Sequence, residues 1–316
     1  MHAHAAFRTR PVVSAAVLAA GIALGLAGLF GYIDQYLLYR GFGPPTPTVA
    51  PALRGRIVSL TIRSRALAGR RERILVYLPA GYSAHPTTRY PVLYLLHGTP
   101  GSPTTAYVNS LHVGPRMDLL IHHRMRPFIV AIPPGSPGTY NHATEWADSP
   151  TPGQDWFTYL TRDVVGAVDS HFRTLRDASE RGVAGYSSGA DAAVNAGLLV
   201  PHEFGIIEGW SGDYHQTPST VDRNPWLEHR FSALDTAPVR ATRVAADGGR
   251  FYLYTGRHDR VLPATVRVAD ALRQGGVPVR LDVTGGGHSW QLWANRFDGA
   301  LRWFAAQTEL NRSLLS

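Results

Sequence analysis

Three side chains in this sequence have the types and the order needed for nucleophilic acyl chemistry: Ser187, Asp259 and His288. A serine hydroxyl attacks a carbonyl carbon when a base removes its proton, and histidine is the side chain whose ordinary pKa suits that exchange near neutral pH. An aspartate then holds the imidazole in one tautomer and stabilises its cation. Ser187 stands in Gly185-Tyr186-Ser187-Ser188-Gly189, a Gly-x-Ser-x-Gly pattern that leaves the short apolar run Gly182-Val183-Ala184 and enters an alanine-rich stretch. A strand, turn and helix in that order lift the hydroxyl clear of the sheet, with glycines where a Cβ would crowd the turn. The same five residues could form an ordinary tight turn, so the other members of the site must carry the interpretation.

Fourteen histidines compete for the base. His288, in Gly285-Gly286-Gly287-His288-Ser289-Trp290, follows the last expected strand and opens the last expected helix, on a loop able to bring its ring over Ser187. Asp259 lies just past a strand and between nucleophile and histidine in the chain, the order this chemistry takes on a strand–turn–helix serine. Asp213, past the preceding strand, is the rival acid. A tetrahedral intermediate also needs two preorganised donors. One is expected from the amide of Ser188, the other from Thr99 in His97-Gly98-Thr99-Pro100-Gly101, because Pro100 has no amide hydrogen.

Two long loops carry residues suited to recognition. Positions 133–155 hold Tyr140, His142, Glu145, Trp146 and Asp148, and 212–249 hold Asp213, Tyr214, His215, Trp226 and Leu227. Tyr140, Trp146, Asp148, Asp213 and Tyr214 are the expected substrate contacts; aromatic rings with a few carboxylates suit an acyl group attached to a polar or cationic head. Paired metal-ligand spacing such as His-Glu-x-x-His is missing, so neither a metal nor a cofactor is expected.

The elements that must position these groups follow from hydrophobic periodicity. Strands are expected near 57–62, 74–78, 92–96, 128–132, 182–184, 205–210, 251–254 and 279–283, and helices near 117–123, 156–172, 188–199, 264–274 and 290–307. Continuous apolar strands alternating with amphipathic helices imply an α/β architecture, a mostly parallel sheet covered on both faces, with the first two strands as an antiparallel edge.

The amino terminus reads differently. From Val12 to Ile33 the chain carries no charge over 22 residues, enough for a helix to span about 30 Å of hydrocarbon. Arg8 and Arg10 precede it and Asp34 follows, so the expected orientation puts the amino terminus in the cytoplasm and the remainder outside. A cleaved signal peptide, giving a secreted protein, is the alternative. The expected organisation is a tail and transmembrane anchor over 1–40, a proline-rich linker over 41–54 and a catalytic domain over 55–316. The formal charge is +8 and every one of the 31 basic residues is arginine; losing Arg8, Arg10, Arg40 and Asp34 with residues 1–40 leaves +6 on the exported part. That charge suits anionic headgroups, whereas the scattered arginines and the lack of a reading helix do not suit nucleic acid. There is no cysteine, so disulfides and thiol catalysis are excluded.

Residues 55–308 resemble the putative-esterase family of α/β-hydrolases, which includes S-formylglutathione hydrolase, feruloyl esterases and the mycobacterial mycolyltransferases. The likeness is carried by Leu78-Pro79-Ala80-Gly81-Tyr82, the strand leading to His97-Gly98, Trp156-Phe157, Val168-Asp169-Ser170-His171-Phe172-Arg173-Thr174, the Ser187 turn and Gly287-His288-Ser289-Trp290. The resemblance implies an α/β-hydrolase fold, Ser187, Asp259 and His288 as a triad, and Thr99 with Ser188 as the oxyanion hole. Where the family usually has Ser-Met-Gly-Gly this chain has Ser187-Ser188-Gly189-Ala190, which changes no catalytic side chain. The implied activity is hydrolysis of carboxylic esters, lipid-linked ones if the chain is held at a membrane. Transfer of the acyl group to a sugar or lipid hydroxyl is the alternative.

Overall fold

The computed structural model describes residues 10–32, 49–137, 145–214 and 230–315. The chain divides into two units, Met1–Pro45 and Thr46–Ser316. In the first, α1 (Arg10–Tyr32) is a single helix of 23 residues, and the side chains at 15–29 are all exposed. Among the described residues no helix is long and apolar enough to cross a membrane.

The second unit is built on an eight-stranded sheet in the order β1-β2-β4-β3-β5-β6-β7-β8. The strands are β1 (Arg56–Arg63), β2 (Arg71–Leu78), β3 (Val92–Leu96), β4 (Ile129–Ile132), β5 (Arg181–Tyr186), β6 (Ile206–Trp210), β7 (Arg250–Gly256) and β8 (Val279–Thr284). β2 runs antiparallel to both β1 and β4, and all other neighbours are parallel. The expected antiparallel edge is therefore present. Every residue of β3, β4, β5 and β6 is buried, as strands covered on both faces require.

The period-2 alternation of β3 divides the core into two layers. Val92, Tyr94 and Leu96 face one layer, while Leu93 and Leu95 face the other. The first layer is closed by α3, which passes through Trp156–Thr158, the wider π-helical turn Tyr159–Val164 and Val165–His171, together with α4 (Ser188–Leu199), α5 (Ala233–Ala246) and α6 (Leu262–Gln274). The second is closed by α2 (Val113–His122) and α7 (Trp290–Leu315).

Two features differ from the sequence expectation. α5 lies inside the stretch read as a loop over 212–249: its buried positions Ala233, Thr236, Ala237, Ala241 and Val244 follow helical spacing, but alanine gives little hydrophobic signal and Pro238 reads as a breaker. The packed unit also begins before residue 55, since Val49 is buried and accepts a hydrogen bond from Arg54 Nε at 3.1 Å.

Candidate active site

β5 ends at Tyr186 and α4 begins at Ser188, so Ser187 is the whole connection. It adopts φ 54° and ψ −129°, a backbone region that side-chain-bearing residues rarely visit. Its amide is tied to the Trp210 carbonyl at 3.0 Å. The turn closes this tightly because its flanks are glycine. A Cβ on Gly185 would stand 2.4 Å from the Gly189 oxygen, and one on Gly189 would stand 2.2 Å from the Leu96 oxygen.

His288 reaches this turn from the loop between β8 and α7. Its Nε2 is 3.0 Å from Ser187 Oγ, and its Nδ1 is 3.2 Å from each oxygen of Asp259. Burial pushes the Asp259 carboxyl upward, but the His288 hydrogen bond and charge and the Val261 amide at 3.1 Å outweigh it and hold it below its usual range. An ionised carboxylate can only accept, so the Nδ1 proton faces Asp259 and the Nε2 lone pair faces the serine hydroxyl. That tautomer is the one that lets the ring take a proton from Ser187. Among the described residues His288 Nδ1 hydrogen-bonds only to Asp259, while Asp213 sits beside Asp191, so the rival acid is set aside.

Thr99 and Ser188 meet beside Ser187. Both are buried, and Ser188 Oγ donates to Thr99 Oγ1 at 3.1 Å. The Ser188 amide is the first of α4 and has no acceptor within its helix; among the described residues neither this amide nor that of Thr99 hydrogen-bonds elsewhere. Two free N–H groups next to the nucleophile are what an oxyanion needs.

The loop that presents Thr99 is held by a residue the sequence did not single out. His97 donates from Nδ1 to the Gly98 carbonyl at 2.9 Å and accepts the Gly135 amide at Nε2, also at 2.9 Å. Trp146 Nε1 donates to the His97 carbonyl at 3.0 Å. With one nitrogen donating and the other accepting, the ring must be neutral, and burial depresses its pKa to about 4. The adjoining Gly98 was the available signal: a Cβ there would lie 2.8 Å from the Tyr186 ring and 3.0 Å from the Ser187 Cβ.

The expected substrate contacts fare unevenly. Tyr140 lies outside the described residues, as do His142, His215, Trp226 and Leu227. Asp148 is engaged at both oxygens by Thr158, through its amide and its hydroxyl, each at 2.8 Å, so it fixes the start of α3 rather than facing a ligand. Tyr214 is fully buried, with its hydroxyl packed where a Cβ on Gly209 would fall, and it belongs to the core. Trp146 and Asp213 remain near the serine turn, Trp146 as a wall of a small cavity that Ser188 also lines. Among the described residues no group of His, Asp and Glu is arranged to hold a metal ion.

A strained serine between strand and helix, a histidine backed by a buried aspartate and two free amides define the α/β-hydrolase class of serine hydrolases. Residues 64–304 match the family model described as Putative esterase, and the chain belongs to that family. A Corynebacterium glutamicum protein described as uncharacterized is 26% identical over 241 residues, covering 70% of this chain and 55% of its own. An endo-1,4-beta-xylanase/feruloyl esterase of Xylanibacter ruminicola is 30% identical over 172 residues, covering 53% of this chain and 23% of its own. The chain thus spans about half the length of the first relative and about a quarter of the second. Among solved structures a ferulic acid esterase shares the fold, with a TM-score of 0.71 at 23% identity over 80% of this chain and 99% of that one.

Proposed function

We propose that this protein is a serine esterase that hydrolyses carboxylic esters through an acyl-enzyme. The observation that carries the proposal is the continuous hydrogen-bonded line from Ser187 Oγ through the His288 ring to both oxygens of a buried Asp259. Ser187 Oγ attacks the ester carbon as His288 Nε2 takes its proton. The carbonyl oxygen, now an anion, rests on the amides of Thr99 and Ser188. Collapse of the tetrahedral adduct breaks the bond to the alcohol, which leaves with the proton from His288. Water then attacks the acyl-serine with His288 again as base, and the acid departs, restoring the free hydroxyl.

We further propose that α1 anchors the catalytic unit on the outer face of the cytoplasmic membrane. The uncharged run of 22 residues, the arginines before it and the exposure of Val17, Leu18, Ile22, Leu24, Leu26 and Leu29 support that placement. Lipid-linked esters are then the natural substrates within reach.

The test is hydrolysis of short and long p-nitrophenyl esters together with labelling by a fluorophosphonate, each on the parent and on Ser187→Ala. Turnover and labelling that both vanish in Ser187→Ala are expected. Labelling without turnover would point to acyl transfer to a hydroxyl acceptor, and the absence of both would overturn the enzymatic reading.

A further inference from the structure

Beside the oxyanion amides lies a cavity that the ester chemistry does not use. It has room for the centre of one water-sized group, about 10 Å³, and Ser188, Glu145, Asp191, Asn195, Trp146 and Phe231 are among its walls. Its polar lining is almost wholly made of acceptors. Asn195 is 3% exposed; its Nδ2 donates to the Phe231 carbonyl at 2.6 Å, and its Oδ1 is buried with no donor facing it among the described residues. Asp191 Oδ1 accepts the Tyr214 amide at 2.9 Å, and Asp213 lies beside the Asp191 carboxyl. Glu145 is fixed in a left-handed backbone conformation, φ 52°, by the Ser136 amide donating to its carbonyl at 3.0 Å.

Among the described residues no cationic side chain acts on Glu145 or Asp191. Burial and the neighbouring Asp213 push the Glu145 carboxyl up to about 7, and burial with the charges of Asp213 and Glu145 pushes Asp191 well above its ordinary value. Among the described residues, the buried Asp191 carboxyl, the half-buried Glu145 carboxyl and an orphaned amide oxygen lack a donor that carries positive charge. Aromatic walls on such a site add attraction for a cation.

We propose that this cavity seats a primary ammonium group carried on the acyl part of the ester, so that the enzyme prefers aminoacyl esters to uncharged esters of the same shape. The proposal rests on the ester-hydrolase reading above. An ammonium has the size of the space and three N–H donors, enough for Asn195 Oδ1 and the two carboxylates. The acyl side is assigned because no residue of the turn carrying His288 lines the cavity, whereas the leaving alcohol must stay within reach of that ring to be protonated.

The experiment compares kcat/KM of the full chain, near neutral pH, on isosteric p-nitrophenyl pairs: the L-alanine ester against isobutyrate, and the 4-aminobutyrate ester against pentanoate. In each pair an ammonium replaces a methyl group. At least one amino ester should exceed its partner by about tenfold or more, mainly through KM, as loss of a charged hydrogen-bonding partner implies. The isosteric changes Glu145→Gln and Asp191→Asn should pull that ratio toward one, in variants whose melting temperatures show that they are folded. Ratios at or below one in both pairs, or a preference that neither substitution alters, would overturn the ammonium site while leaving the esterase standing. Failure of all four esters to turn over through Ser187 would remove the esterase reading itself, and the site with it.

Discussion

Ser187 combines reactivity with a backbone conformation that costs energy, of order 1–3 kcal/mol for a residue held at such a φ. Glycine relieves that strain at the price of greater freedom in the unfolded chain. Ser187→Gly should therefore unfold later than Ser187→Ala by about 1 kcal/mol, while both lose ester turnover; equal stabilities in urea would mean that the turn is not strained. Asp259 acts through His288. Replacing it with asparagine offers an N–H to Nδ1 and favours the wrong tautomer, so Asp259→Asn should lower kcat by about ten-thousand-fold with KM little changed. His97 gives a separate signature in stability. Its ring titrates at about 4 in the folded protein against an ordinary 6.5, because burial disfavours the cation. Between those values the unfolded chain binds the extra proton, so this group's contribution is complete above the ordinary pKa and is lost as pH falls through the folded one, roughly 3 kcal/mol in all. Urea unfolding at stepped pH should show that loss, and His97→Gln should flatten it.

At the scale of elements, the turn between β5 and α4 depends on three segments lying closer than side chains allow. A Cβ on Gly189 would press on the backbone of Leu96, which cannot swing away as a side chain could. Gly189→Ala should cost about 2 kcal/mol or more and displace Ser188, so turnover should fall with melting temperature. This part of the site was legible in the sequence because strand, turn, glycines and helix are contiguous and each has its own pattern. The buried strands were legible for the same reason, and the segments that carried the family likeness proved to be staples of the fold: the Arg173 amide donates to Tyr82 Oη at 2.9 Å and its guanidinium lies 3.7 Å over that ring. What escaped was non-local or weakly patterned. α5 hides behind alanines and Pro238. The His97 clamp joins residues 97, 135 and 146, and the acidic cavity joins Glu145 to Asp191 and Asn195; the last two share a helix face at i,i+4, but no spacing rule ties either to position 145. Asp148 and Tyr214 have the chemistry of ligand contacts, but hydrogen bonding to Thr158 and complete burial give them structural work.

For the whole molecule, two forces could bring the catalytic unit to a membrane, and they respond differently to solvent. The first is the uncharged run over 12–33, whose side chains at 15–29 are exposed. The second is charge: residues 46–316 retain +6 once Arg8, Arg10, Asp34 and Arg40 are gone. Attraction of that size to anionic headgroups acts within a Debye length and is screened by salt. Burial of a long apolar helix in hydrocarbon is insensitive to salt and to alkaline washing. The full chain should therefore stay with membranes through high salt and alkaline carbonate and be released only by detergent. Residues 46–316 should be soluble, bind anionic vesicles weakly and reversibly with salt, and retain the parent kcat on a short p-nitrophenyl ester, because every residue of the proposed machinery lies within them. Release of the full chain by salt alone would assign the attachment to charge and remove the anchor from the proposal.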